Sequence, residues 1–269
     1  MLSVEIEIPK PSQYVLHSKI DEIALAYCEA YRSNSKAAQQ SPMDMERLVD
    51  LLEVPLLCDE IEEPEGAFFL ASYNGDLITI NEKHRQLFDE RPEVYRNCLG
   101  HEVGHRILRH HDSSTSCDEQ ISLFSEPASP QRTFHRSSWD QYGLTKDDVI
   151  KRKQIIQLAV KKAAVSDKAR QIIDQLQNLY EPDWMFWQAE HFSLCLQVPK
   201  DRLSEILEDG WDYTQWRGIY QLAERFGVSG PMMKRRLMKL NLIKIGEDGL
   251  PHPIPQTAQQ NIPNQQKTT

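Results

Sequence analysis

Three residues within five, His101, Glu102 and His105 of His-Glu-Val-Gly-His, have the types and spacing for metal-assisted chemistry. On an α-helix, residues four apart lie one turn above each other on one face, so both imidazoles can reach a single divalent ion. A carboxylate beside the first imidazole can then reach a water at that ion. Such a trio supports hydrolysis. A metal held there would acidify water and stabilise an oxyanion, and Glu102 would take the proton as the water attacks a carbonyl. A catalytic zinc normally takes three protein ligands, so the pentapeptide needs a helix around it and a third donor from elsewhere.

Composition bounds the rest. The chain has 269 residues, 40% hydrophobic and 26% charged, which is the balance of an ordinary globular protein. A net charge of −9 gives no global drive toward nucleic acid or anionic membrane, so any basic surface must be local. The cysteines, at 28, 58, 98, 117 and 195, form no Cys-x-x-Cys pair. That pattern predicts reduced thiols in a cytoplasm and argues against a disulfide framework or a cysteine-based zinc ribbon. The acidic, Pro-broken MLSVEIEIPKP start does not read as a signal peptide, and no apolar run reads as a membrane span.

Hydrophobic spacing supplies the elements. Ile20, Ile23, Ala24, Tyr27 and Tyr31 predict an amphipathic helix over 17–31. Ser41-Pro42 reads as a cap and first position of a second helix carrying Met45, Leu48, Leu51 and Leu52. Residues 67–80, AFFLASYNGDLITI, read as a β-hairpin about Asn74-Gly75, whose edge could pair with an extended peptide or simply complete a small sheet. Pro92 opens the helix carrying the His-Glu motif, with Val94, Cys98, Val103, Ile107 and Leu108 as its buried stripe. Gly100 and Gly104 weaken that helix, so something must approach it closely: metal, strand, substrate or a packed neighbour. Residues 112–145 read as a long loop with a surface His135, and Thr145–Asp148 as a capping box opening a helical stretch to about Tyr180. A further helix, WMFWQAEHFSLCLQ, ends before Pro199.

Two sources for the third donor suggest themselves. His111 sits where some His-Glu motifs use a Gly-turned return, but Leu108 holds the Gly position. On a continuing helix His111 would lie about 9 Å beyond His105, so His110 and His111 read as surface or supporting histidines. The other source is a carboxylate on the helix of the 180s. HEVGH, then WQAEHFSLCLQVPKDRL, then LAERFGVSGPMMKRRLMKL, together resemble the ImmA/IrrE family of metallo-endopeptidases in three motifs and in their order. The resemblance extends over about residues 42–243. It implies that His101 and His105 bind the metal and Glu102 is the catalytic carboxylate. Ala189, Phe192, Leu196 and Pro199 match the family's second motif. The family's third ligand, a Glu three residues before that Ala, is Phe186 here, and phenylalanine cannot bind zinc. Glu190, one turn later on the same face, is the substitute third ligand expected, or else a supporting residue; Glu181 and Asp183 are further carboxylates nearby.

At the C-terminus, Leu222, Phe226, Val228, Met233, Leu237 and Leu240 fit the core of a helix-turn-helix, with Gly227 at the turn and Ser229 as cap. Lys234, Arg235, Arg236 and Lys239 would then face DNA phosphates, unless the segment serves packing or protein recognition. The expected fold is α+β: a zincin-like metallopeptidase domain over 1–200 with a helical insertion at about 112–180, a helix-turn-helix-like module over 201–250, and a disordered tail over 251–269. The resemblance implies a cytoplasmic, zinc-dependent endopeptidase cleaving a repressor- or antitoxin-type protein in a stress-response or mobile-element circuit. The alternative is a catalytically degenerate regulator that binds DNA or a partner protein.

Overall fold

The computed structural model describes residues 2, 4–7, 9, 15–34, 42–63, 68–111, 134–136 and 183–255, of which 134–136 and 183–184 are described by backbone alone. The helix expected over 145–180 lies outside these residues, as do Glu181, Cys117 and the chain beyond residue 255. The chain divides into two units, Met1–Gln197 and Val198–Thr269. No helix among the described residues is long and apolar enough to cross a membrane.

In the first unit, α1 spans His17–Asn34 and buries all five residues of the expected stripe, together with Cys28. The second helix, α2, starts later than the sequence suggests. It spans Met45–Leu51 and is capped by Asp44, whose carboxylate accepts the Arg47 N–H, rather than by Ser41. A short α3, Arg85–Glu90, leads into α4, Pro92–Ile107, which does begin at the proline. The motif helix buries Val94, Cys98, Val103 and Ile107, and Leu108 at its cap is equally covered. The last helix of this unit, α5, is Asp183–Gln197. It packs against both α1 and α4.

A four-stranded sheet completes the unit, in the order β1-β3-β2-β4. Strand β1 (Leu56–Asp59) runs parallel to β3 (Ile78–Asn81), and β2 (Ala71–Tyr73) pairs antiparallel with β3. The expected hairpin is therefore present. The Asn74 side chain accepts the N–H groups of Asp76 and Leu77, and Gly75 takes the left-handed backbone (φ 102°) that the turn requires. The hairpin strands are interior, however, because β4 (Phe134–Arg136) pairs with the outer side of β2. Among the described strands, β1 and β4 are the edges at which an extended peptide could add. Strand β4 corrects the reading of 112–145 as loop throughout: His135 stands opposite Ser72 in a ladder. Three residues flanked by polar sequence are too few for alternation to register.

The second unit contains α6 (Lys200–Glu208), α7 (Trp216–Phe226), α8 (Gly230–Lys239) and a ribbon of β5 (Ile243–Ile245) and β6 (Pro251–Pro253). Helix α7 ends at Gly227 in the left-handed conformation (φ 63°), and the Ser229 hydroxyl caps α8 by accepting the Met232 N–H. Leu222, Phe226, Val228, Met233 and Leu237 are buried as expected, while Leu240 is only half-buried. Strand β6 shows that the ordered chain continues past residue 250. Two prolines fit there because a strand of a two-stranded ribbon need not donate outward.

Candidate metal centre

The motif lies in the most covered part of α4: His101, Glu102 and His105 are all buried. The burial follows from how closely α5 approaches. A Cβ on Gly104 would stand 2.9 Å from Ala189 Cα and 3.0 Å from its carbonyl oxygen. Glycine at 104 thus serves tight helix packing rather than the approach of metal or substrate. Gly100 likewise faces Ser193.

The two imidazoles converge through their Nε2 atoms, 3.1 Å apart. Two ligand nitrogens on one tetrahedral zinc stand about 3.3 Å apart, so the spacing suits a shared ion. The outer nitrogens are held from behind. His101 Nδ1 meets Glu190 Oε2 at 3.2 Å, and the Asn97 amide donates to the other Glu190 oxygen at 3.5 Å. His105 Nδ1 meets His110 Nδ1 at 2.9 Å, and His110 Nε2 meets Gln188 Oε1 at 3.1 Å. The Gln188 amide in turn donates to the Val15 carbonyl at 2.9 Å.

That last bond sets the protons along the relay from Gln188 through His110 to His105. A carbonyl only accepts, so the Gln188 NH₂ points at Val15 and its oxygen at His110. His110 therefore donates from Nε2 and accepts at Nδ1, and His105 donates from Nδ1. His101 donates from Nδ1 to the Glu190 carboxylate. Both motif imidazoles then present Nε2 lone pairs toward the same point. Two lone pairs aimed at each other repel, and a cation between them turns the repulsion into ligation. The donor set fits a metal at two positions.

How His110 returns to His105 explains a residue that the sequence left ambiguous. Helix α4 does not continue past residue 107. Leu108 caps it, Arg109 takes a left-handed backbone (φ 58°), and the His110 N–H bonds the His105 carbonyl at 3.1 Å while the Arg109 N–H bonds Arg106 O at 3.3 Å. This is the paired-bond helix ending usually built with glycine, here built with arginine. The turn comes one residue after Leu108, where the Gly-turned motif would have placed it. It brings His110 beneath His105. His111 packs its ring 5.4 Å from His105 and 5.0 Å from Tyr73.

The family's third-ligand position is as apolar as the sequence says. The Phe186 ring lies 5.1 Å from the His101 ring. Glu190, the substitute proposed from sequence, is drawn to the Nδ1 side of His101, away from the convergent Nε2 pair. Its place one turn further along α5 puts its carboxylate behind the ring instead of beside the shared point. In this geometry it is placed to orient the His101 ring, not to stand beside the Nε2 pair. The side chain of Asp183 lies outside the described residues.

Of the basic residues on α8, Lys234 and Arg235 are half-buried and Lys239 is exposed. Arg236 is buried and donates from Nε to the Val198 carbonyl at 2.9 Å, so it cannot contact nucleic acid as the run of charges suggested. Position 236 lies three residues after the buried Met233 and four after the buried Met232, on the inward stripe of the helix.

A buried helix bearing paired imidazoles and an adjacent carboxylate, backed by a second helix that orients them, is a metallopeptidase arrangement. Residues 165–238 match the model of the Peptidase_M78 family, described as the IrrE N-terminal-like domain, in agreement with the ImmA/IrrE resemblance. The matched stretch includes α5 and reaches to the end of α8, whereas HEVGH lies upstream of it. No curated protein matches the chain.

Proposed function

We propose that the protein is a zinc-dependent endopeptidase acting on a regulatory protein of repressor or antitoxin type. The observation that carries the peptidase reading is the convergence of His101 and His105 Nε2 at 3.1 Å with Glu102 between them in sequence on one buried helix. The substrate class and the stress-response or mobile-element setting rest on the family resemblance. His101 and His105 hold the ion, with Glu190 and the His110–Gln188 pair fixing their rings. Bound there, zinc supplies Lewis acidity at the scissile carbonyl and acidifies water. Glu102 takes the proton of the attacking water and delivers it to the leaving amine. Glu102→Gln keeps the acceptor oxygen but cannot take a proton. Zinc content should be unchanged in this variant, while cleavage of a quenched-fluorophore peptide library falls by about 10²–10⁴-fold. Equal cleavage by wild type and variant would exclude this role for Glu102.

A second reading is favoured by Phe186 alone. With an aromatic ring 5.1 Å from His101 where the family carries a ligand, the site can be a degenerate one whose role is binding DNA or a partner protein. Lys234, Arg235 and Lys239 are then the groups for phosphate contact. Phe186→Glu separates the readings. On the degenerate reading the wild type holds no zinc and does not cleave, and the variant gains both; on the first reading the wild type already holds zinc and cleaves.

A further inference from the structure

Away from the His-Glu motif, α1 and α5 bring a second donor set together. Each helix contributes a pair of residues four apart: His17 and Asp21 from α1, His191 and Cys195 from α5. The Cys195 thiol lies 3.0 Å from Asp21 Oδ1 and 3.5 Å from His191 Nε2, and that same nitrogen lies 3.5 Å from Asp21 Oδ2. Carboxylate, imidazole and thiol are thus mutual neighbours, with all three donor atoms within 4.8 Å of one another. The S–N edge of a tetrahedral zinc shell is about 3.5 Å, which the Cys195–His191 separation matches, and the carboxylate reaches both neighbours, the thiol through Oδ1 and the ring nitrogen through Oδ2. His191 and Cys195 are buried, whereas the Asp21 side chain is 30% exposed, so the group has one open side. On that side the exposed His17 sets its ring 4.5 Å from the His191 ring.

We propose that Asp21, His191 and Cys195 form a second metal site, for Zn²⁺ or a similar borderline-soft divalent cation, with His17 or a water in the fourth position. The donor types select that class: a thiolate and an imidazole disfavour magnesium and calcium, and a single carboxylate allows zinc. Binding releases the thiol proton to solvent as the sulfur becomes a ligand. A cysteine nucleophile activated by His191 is the rival use of the same residues. It needs the thiol on one ring nitrogen and the carboxylate on the other, whereas both of the shorter contacts here converge on Nε2. The site joins residues about 170 positions apart and clamps α5, the helix that carries Glu190 and Gln188, to α1.

Cobalt substitution of the full chain tests this, because a thiolate ligand gives Co²⁺ a sulfur-to-metal charge-transfer band in the near ultraviolet and the His101–His105 site contains no sulfur. The exposed Cys58, and Cys117, are changed to Ser in every sample. The expected result is a charge-transfer band that persists in His101→Ala/His105→Ala and vanishes in Cys195→Ala. Zinc content should fall by one equivalent in each case. No band in the wild-type background, or a band that survives Cys195→Ala, overturns the proposal. Should Cys195→Ala fail to fold, Asp21→Asn at the open side decides: at least tenfold weaker cobalt binding supports the site, and unchanged binding overturns it. Loss of the His101–His105 metal alone bears on the peptidase reading and leaves this band in place.

Discussion

Helix α5 presents two faces to two neighbours, and they are built by different rules. Toward α4 it turns Phe186, Ala189, Glu190, Ser193 and Gln197; toward α1 it turns His191 and Cys195. The first face is a tight packing surface with hydrogen bonds threaded through it. Ser193 donates to Asn97 Oδ1 at 2.7 Å, and the Gln197 amide donates to Ser193 Oγ at 2.9 Å. These bonds offset the cost of burying their donors, about 1–3 kcal/mol for each group left unpaired. The second face gathers donors of three chemical kinds around one point and leaves an opening. The first arrangement holds side chains still for another helix's chemistry, and the second has the form of a site in its own right.

The difference should be largest in packing. Gly104→Ala places a methyl against the backbone of Ala189, which cannot rotate out of the way. We expect a loss of about 1–3 kcal/mol in urea unfolding, together with weaker metal binding at His101 and His105 as the helices part. Gly100→Ala meets the Ser193 side chain instead, which can turn at the expense of its bond to Asn97, so a smaller loss is expected. Equal stability of Gly104→Ala and wild type would mean that the α4–α5 contact is looser than described.

The two faces also differ in how far they could be read without a structure. The face toward α4 was legible because its residues are close in sequence and fall at helical spacing, and because a family motif covers them. Even so, the pentapeptide with α5 did not reveal where Glu190's carboxylate points, since one turn of helix decides whether it stands beside Nε2 or behind Nδ1. Gly104 could be flagged as a close approach, but not the partner. The face toward α1 was not legible. Asp21 reads as an ordinary charge on an amphipathic helix, and nothing local connects it with His191 and Cys195. The inward turn of Arg236 was hidden for a similar reason: a run of basic residues hides which one falls on the buried stripe.

Gln188 tests whether the faces are independent. It bonds Val15, two residues before α1, yet it sets the proton on His110 and so the lone pair of His105. Gln188→Leu keeps the volume and removes the relay, and Glu190→Gln weakens the corresponding support of His101. Each should weaken zinc binding at the motif by about 10–100-fold with little change in the cobalt–thiolate band. Calorimetric titration of the metal-free chain measures the first effect and absorption the second. If Gln188→Leu abolishes the thiolate band as strongly as it weakens the motif site, the two faces act as one unit.

The smallest expected effect is a gain. Arg109 holds a left-handed backbone that costs an L-residue roughly 1 kcal/mol, and glycine adopts it without that strain. Glycine also brings more freedom to the unfolded chain, which offsets part of the relief. Arg109→Gly should therefore raise stability by at most about 1 kcal/mol, read as a small upward shift in the urea midpoint. Because the hydrogen bonds of the turn are backbone ones, His110 should still reach His105, and zinc affinity should stay within a few-fold of wild type. A marked fall in zinc affinity with stability unchanged would show that the Arg109 side chain, and not the turn alone, positions the histidine relay.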